Sequence, residues 1–194
     1  MVAKPLYPLY KNIIKPLDRV RYPELRYVLK YWLQKISPGV KFDYKIEEKA
    51  DMSYSLYDNH RSANVGYGLS YSLPVIVALL TATLETGSIV LIENPEAHLH
   101  PQGQAEMARL ICLCVEAGAQ VVVETHSDHL FDGVRIFARE SENHFASKVA
   151  TFWCQLDENR NTQVDSCRIQ ENGRLDHWPE RMFDQFLLDS EKLL

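Results

Sequence analysis

Residues 88–101 read SIVLIENPEAHLHP, and residues 120–129 read QVVVETHSDH. Each segment opens as a short apolar run rich in β-branched residues and closes on a carboxylate, Glu93 in the first and Glu124 in the second. Runs of this length and composition predict strands over 88–93 and 120–124. Between them, Pro101 suits the first turn of a helix, where its missing N–H would have no partner in any case. That helix is expected to reach Glu116, with Gly118 as its cap. Another helix is predicted over 127–139. Strand, helix, strand, helix, with the strands apolar throughout, predicts parallel strands covered by helices on both faces.

Upstream, residues 1–23 carry Pro5, Pro8, Pro16 and Pro23 among Tyr and Lys, an irregular lead-in. Leu25, Val28, Leu29, Trp32, Leu33 and Ile36 recur at helical spacing, and Ser37-Pro38-Gly39 stops the helix over 24–36. Alternating apolar and polar residues at 40–47 and 52–57 predict two strands, paired as a hairpin. Residues 58–68 read as a loop that leads into an apolar helix over 69–85. Beyond Lys148 two antiparallel strands are expected, 149–156 and 163–170, around a turn at 157–161. Asn172-Gly173 makes a further turn, and an amphipathic helix over 179–194 closes the chain. The expected organisation is therefore a lead-in (1–22), an α/β lobe (23–147), and C-terminal strands and helix (148–194).

The 194 residues are 46% hydrophobic and 24% charged, which suits one folded domain or large lobe and excludes a disordered chain. A formal charge of −5 gives no overall attraction to nucleic acid. The first 35 residues are nevertheless basic, through Lys4, Lys11, Lys15, Arg19, Arg21, Arg26, Lys30 and Lys35; a solvated face and a local basic patch both fit. Cys112, Cys114, Cys154 and Cys167 lack zinc-site spacing, so they read as buried free thiols. Reduced thiols, no signal peptide, and no apolar run near the ~18 residues a membrane span requires together point to the cytoplasm.

Three segments carry the chemistry. Asn64 to Pro74, NVGYGLSYSLP, puts glycines just before a helix, where backbone N–H groups and the helix N-terminus attract phosphate oxygens and Ser70 or Ser72 adds a hydroxyl. A plain helix cap explains the same pattern. Glu93 ends a buried strand, as the carboxylate of P-loop ATPases does beside Mg²⁺ and the phosphates. Glu96, His98 and His100 follow in the loop outside the strand end, where open α/β sheets hold ligands. The bland alternative makes Glu93 a helix cap and leaves the histidines on the surface. His126 ends the second strand, where an imidazole can donate to a γ-phosphate or orient the attacking water. A lone histidine there is usually structural, but two neighbouring strands ending alike weaken that reading.

Glycine loop, ENPEAHLHP and ETHSDH, in this order, resemble the signature, Walker B with D-loop, and H-loop of SMC-like and OLD-family ATPases. The C-terminal GRLDHWPERMFDQF (173–186) resembles the DUF3696-like end of one predicted-ATPase group within them. The resemblance spans roughly residues 25–194. It implies the C-terminal lobe of an ABC-type P-loop NTPase: an α/β fold, parallel strands flanked by helices, with a small β-rich extension. It implies ATP and Mg²⁺ in the complete assembly. Gly66, Gly68 and Ser70 would meet the γ-phosphate of a nucleotide held by the other subunit. Glu93 would support Mg²⁺ and its water, and His126 would be the switch histidine. Ala97, His98, Leu99 and His100 would line the interface. The implied partner is a second copy or a P-loop-bearing N-terminal half; nucleic acid is a further candidate, and a membrane is not.

Two departures stand out. Many relatives have Asp-Glu where this chain has Glu93-Asn94, and a neutral amide at 94 cannot take a proton. Glu96 could replace it, or hydrolysis could be slow. Tyr71 also stands where similar sequences have Gln. In addition, the sequence contains no G-x-x-x-x-G-K-[ST]. A fragment of a longer protein, pairing with a separate polypeptide, and a degenerate lobe each account for this. The function expected is thus the second half of an ATPase, with a non-catalytic interaction module as the alternative. A nuclease is disfavoured, because the tail beyond Lys148 has no apolar strand followed by paired acids.

Overall fold

Two short apolar strands become neighbours here because the helix that connects them folds back over the sheet. The computed structural model describes residues 25–47, 49, 51–61, 64–83 and 87–193. The lead-in over 1–22, most of the early basic residues and the expected end of the 69–85 helix lie outside them. The chain divides into two compact units, Met1–Leu130 and Phe131–Leu194.

In the first unit α1 (Leu25–Ile36) buries Val28, Leu29, Trp32, Leu33 and Ile36. It ends where Gly39 takes a φ of +89°. The hairpin forms as expected: β1 (Phe42–Glu47) pairs antiparallel with β2 (Met52–Tyr57), Phe42 opposite Tyr57. The following loop differs from its sequence reading. Asp58 and Asn59 both take positive φ, 50° and 68°, and turn the chain into β3 (His60–Arg61), a third strand against β2. Aspartate and asparagine tolerate the left-handed conformation that a two-residue hairpin turn requires. The next helix, α2 (Tyr67–Ala82), starts two residues earlier than expected, so Gly68 and Ser70 lie within its first turn.

The central pair is parallel and in register. Strands β4 (Ile89–Glu93) and β5 (Gln120–Glu124) match Ile89 with Gln120 through Glu93 with Glu124. Helix α3 (Pro101–Glu116) connects them, with Pro101 at its start and Gly118 beyond its end at φ +103°. Helices α2 and α3 pack on the pair. The expectation that both sheet faces are covered is not met. Ile92 is 7% exposed, but Leu91 is 75%, Ile89 59% and Val122 52% exposed. Alternate residues of a strand face opposite sides, so one side is packed and the other is an open apolar surface.

Gly103 of α3 lies directly under α1. A Cβ there would run into the backbone carbonyl of Ile36. Cys112 and Cys114 are both enclosed. Burial pushes their thiols up, Cys114 to about 12, so they behave as core apolar groups rather than nucleophiles. Cys167 is buried too, but Cys154 is exposed, which corrects the reading of four buried thiols. Among the described residues no helix is long and apolar enough to cross a membrane.

The second unit takes up most of α4 (Asp128–Glu140), then a 3-10 turn over Phe145–Lys148 and an antiparallel hairpin. That hairpin pairs β6 (Thr151–Leu156) with β7 (Thr162–Cys167) around Asp157, whose carboxylate accepts from the Asn159 and Asn161 N–H groups. A bridge between Ile169 and Leu175 frames the Asn172-Gly173 turn. The last helix, α5, spans only Gln185–Leu193. It cannot begin at Pro179 because Arg181 and Phe183 adopt positive φ, 64° and 55°, and the Trp178 indole donates to the Met182 carbonyl at 2.6 Å.

His177 sits between two carboxylates of this unit: Nε2 is 3.0 Å from Asp165 and Nδ1 is 3.1 Å from Asp176. The Asp165 hydrogen bond raises the His177 pKa above its usual 6.5. The Arg168 N–H, bonded to Asp176, lowers the pKa of that carboxyl. A raised histidine stabilises the fold below its unfolded pKa, and that contribution is lost as pH climbs through the folded one. The Asp176 contribution behaves oppositely, present above 3.8 and lost on acidification. Between about pH 6 and about pH 8 the urea midpoint of the second unit should therefore fall as pH rises. His177→Gln should flatten that slope; an unchanged slope would remove His177 from the account.

Candidate functional site

Parallel, in-register pairing brings the ends of β4 and β5 level, so the 94–100 and 125–127 loops leave the sheet side by side. The Asn94 N–H donates to the Glu124 carbonyl at 2.9 Å, extending the ladder by one bond, and Asn94 then turns away at φ 46°. Asparagine is among the residues that enter the left-handed region most readily. The Glu93 side chain is exposed at the strand end.

Glu96 is the buried member of the group, 8% exposed. Its Oε1 accepts from the His126 N–H at 2.9 Å, across 30 residues of sequence. Its Oε2 is enclosed, without a hydrogen-bond partner among the described residues. Glu96 therefore ties the first loop to the second. The His126 imidazole is outside this knot, 83% exposed, with Nε2 3.0 Å from Glu124 Oε1. Below it, the Ser127 hydroxyl caps α4 by accepting from the Leu130 N–H at 3.0 Å and donates to Gln104 Oε1 at 2.5 Å. Gln104 Nε2 in turn donates to the Leu99 carbonyl at 2.9 Å.

The glycine segment reaches the same strand end from a third direction. Gly66 is the N-cap of α2 and offers no side chain to cap the first N–H groups of the helix; the Leu69 N–H donates to the Gly66 carbonyl at 3.2 Å. A Cβ on Gly68 would lie 2.6 Å from the His98 carbonyl oxygen. Only glycine permits that approach, and the Tyr67 and His98 rings meet at 5.7 Å beside it. Ser70 Oγ donates to the Tyr67 carbonyl at 3.1 Å and Ser72 Oγ to the Leu69 carbonyl at 3.3 Å, so both hydroxyls are turned to their own helix. The Tyr71 hydroxyl donates to the Glu93 carbonyl at 2.8 Å and fastens α2 to β4.

Gly66, Gly68, His98, Glu93, Asn94, Glu96 and His126 thus belong to one set of abutting loops. His100 is turned instead to its own helix: it is the N-cap of α3, with Nδ1 accepting from the Gln102 N–H at 3.4 Å. Sequence reasoning missed Gln104 and the anchoring role of Tyr71. A polar residue one turn into an apolar helix was the available signal for Gln104. Among the described residues no cluster of three or more His, Cys, Asp or Glu could hold a metal by itself. Glu93 and Glu124, paired in register and both exposed, are instead of the kind Mg²⁺ sites use, one or two carboxylates together with phosphates and water.

A parallel strand pair flanked by helices, with an acid at one strand end and a histidine just past the other, is an α/β arrangement of the kind found in P-loop-type folds. The chain belongs to the family described as "AAA domain, putative AbiEii toxin, Type IV TA system", whose model matches residues 7–132. Residues 146–193 match a second model, "Protein of unknown function (DUF3696)". A chain from structural work on ATP-driven dimerization and DNA-stimulated activation of SMC ATPases superposes with a TM-score of 0.57 at 12% identity, covering 86% of this chain and 90% of that one. A structure of SmcHead bound to the C-winged helix domain of ScpA gives 0.55 at 14% identity, over 75% of this chain and 43% of that one. At these identities the likeness is one of fold: the SMC-type P-loop ATPase head. No curated protein matches the chain.

Proposed function

We propose that the chain is the C-terminal part of an ATP-binding and ATP-hydrolysing SMC/OLD-like ATPase that closes on ATP at a dimer interface. The phosphate-binding loop would come from an N-terminal half or a partner chain. The observation that carries this reading is the Glu96 bridge, which holds the acid-bearing and histidine-bearing loops level at the open end of a parallel sheet. The N–H groups at Gly66 and Gly68 would take phosphate oxygens, and Ser70 would join them once its hydroxyl leaves the Tyr67 carbonyl. Bound Mg²⁺ would neutralise phosphate charge, with Glu93 supporting its water shell. His126 is exposed, and its ring would donate to a γ-phosphate through Nδ1 as an imidazolium, or through Nε2 once that nitrogen leaves Glu124.

Within this proposal Glu96 positions rather than abstracts. One carboxylate oxygen is occupied and the other is shut away from solvent, so neither meets an attacking water in this conformation. Glu96→Gln keeps an acceptor for the His126 N–H and removes a buried charge, so it should preserve turnover and stability. Glu96→Ala should lose both. A Glu96→Gln variant as inactive as Glu96→Ala would make Glu96 the base.

The open apolar face of Ile89, Leu91 and Val122 is where a P-loop-bearing lobe would continue the core. Leu91→Ser should shift the stability of the chain alone by no more than ~0.5 kcal/mol, since the side chain is already exposed, yet weaken assembly with that lobe. Unchanged assembly would show that the face is covered by something else.

The test of the function is ATP binding and turnover by the chain joined to its upstream coding sequence. Absence of hydrolysis, together with nucleotide binding indifferent to His126→Ala, would sink the ATPase reading. It would favour an interaction module, the reading to which Asn94 lends weight because an amide cannot serve as a base.

A further inference from the structure

A groove of about 250 Å³ in the second unit is lined by one face of α4 and by the 172–174 turn. Three of its side chains are arginines, Arg135, Arg139 and Arg174, against one acid, Asp132. Arg135 is committed. It donates to Asp132 Oδ1 at 2.6 Å and to the Gly173 carbonyl at 2.9 Å, and its guanidinium lies 5.2 Å from the Trp178 ring centre. Arg139 and Arg174 are exposed, and neither guanidinium has a hydrogen bond or ion pair among the described residues; the Arg174 backbone N–H donates to Asn172 Oδ1 at 2.9 Å. The groove therefore keeps two uncompensated positive charges in a chain whose formal charge is −5. Its walls are held at a fixed spacing. Gly173, at φ +77°, lets the turn seat so closely that a Cβ would stand 2.7 Å from the Arg135 carbonyl and 3.2 Å from Arg139 Cβ.

We propose that this groove binds a dianionic phosphate group, a free phosphate or the phosphomonoester end of a nucleic acid. Guanidinium forks match phosphate oxygens in geometry, and a phosphomonoester carries nearly two negative charges at neutral pH. Two open guanidinium groups balance that charge, whereas a carboxylate or an internal phosphodiester leaves one unbalanced. Arg135, held by Asp132 and the Gly173 carbonyl, lines the groove together with Arg139 of α4 and Arg174 of the turn. This proposal does not rest on the ATPase reading.

The probes are inorganic phosphate, and one oligonucleotide sequence prepared with a 5′-phosphate or a 5′-hydroxyl. Binding to the whole chain is read by calorimetry and by the arginine side-chain NMR signals. Phosphate binding that weakens about tenfold in each of Arg139→Gln and Arg174→Gln, with unchanged circular dichroism, supports the site. So does weakening below about pH 6, where the phosphate loses its second charge. Tighter binding of the 5′-phosphorylated oligonucleotide than of inorganic phosphate identifies a nucleic-acid end as the source; equal binding identifies free phosphate. Equal affinity for the 5′-hydroxyl oligonucleotide, or binding indifferent to both substitutions, overturns the proposal.

Discussion

Replacing Gly103 by alanine is expected to destabilise the first unit by about 2 kcal/mol, although alanine is the better helix former by about 1 kcal/mol. The added Cβ meets the carbonyl oxygen of Ile36, and that oxygen is part of the α1 backbone rather than the end of a side chain able to rotate aside. Relief requires α1 to move away from α3. That movement loosens Trp32, Leu33 and Ile36, each at most 2% exposed. Gly66→Ala is the control, since nothing lies within 4 Å of a Cβ there. Urea unfolding of the two variants should separate them clearly. Equal midpoints would mean that α1 and α3 do not approach as closely as described.

His126→Ala is expected to lower ATP turnover of the complete assembly by about a hundredfold, the scale lost when one donor to transition-state charge is removed. Folding should be untouched, because the imidazole is 83% exposed and its close partner among the described residues is the exposed Glu124 carboxylate. Backbone anchoring also survives, because Glu96 holds residue 126 through its N–H and not through the ring. The variant thus separates chemistry from architecture. Turnover that stays within twofold of wild type, measured at saturating ATP, would mean that the histidine merely occupies the strand end.

Much of the candidate site was legible in the sequence because its parts are local signals. SIVLIE and QVVVE announce buried strands, and Pro101 and Gly118 bracket a helix through their own backbone preferences. Glu93 and His126 follow from lying where those strands stop. Other features depended on partners far along the chain. Gly68 reads as part of a phosphate-attracting glycine loop, yet the close approach that requires a glycine there is to the His98 carbonyl in another loop. Glu96 reads as a loop acid able to stand in for the base missing at 94, and its burial against the His126 N–H depends on a loop 30 residues away. Strand β3 was hidden in a polar loop because a two-residue strand has no period to detect. The last helix was read too long, because an apolar pattern cannot reveal the positive φ at Arg181 and Phe183.

By itself the sequence determined the alternation of strands and helices, the residues at the strand ends, and the kinship these imply. Such properties are set by each residue and neighbours within one or two turns, so they can be read in order along the chain. Tertiary structure alone decided the in-register pairing that brings Glu96 within reach of His126. It also decided the open face left by Ile89, Leu91 and Val122, and the arginine groove between α4 and the Gly173 turn. These rest on the spacing of segments tens of residues apart, which packing fixes only once the helices close on the sheet.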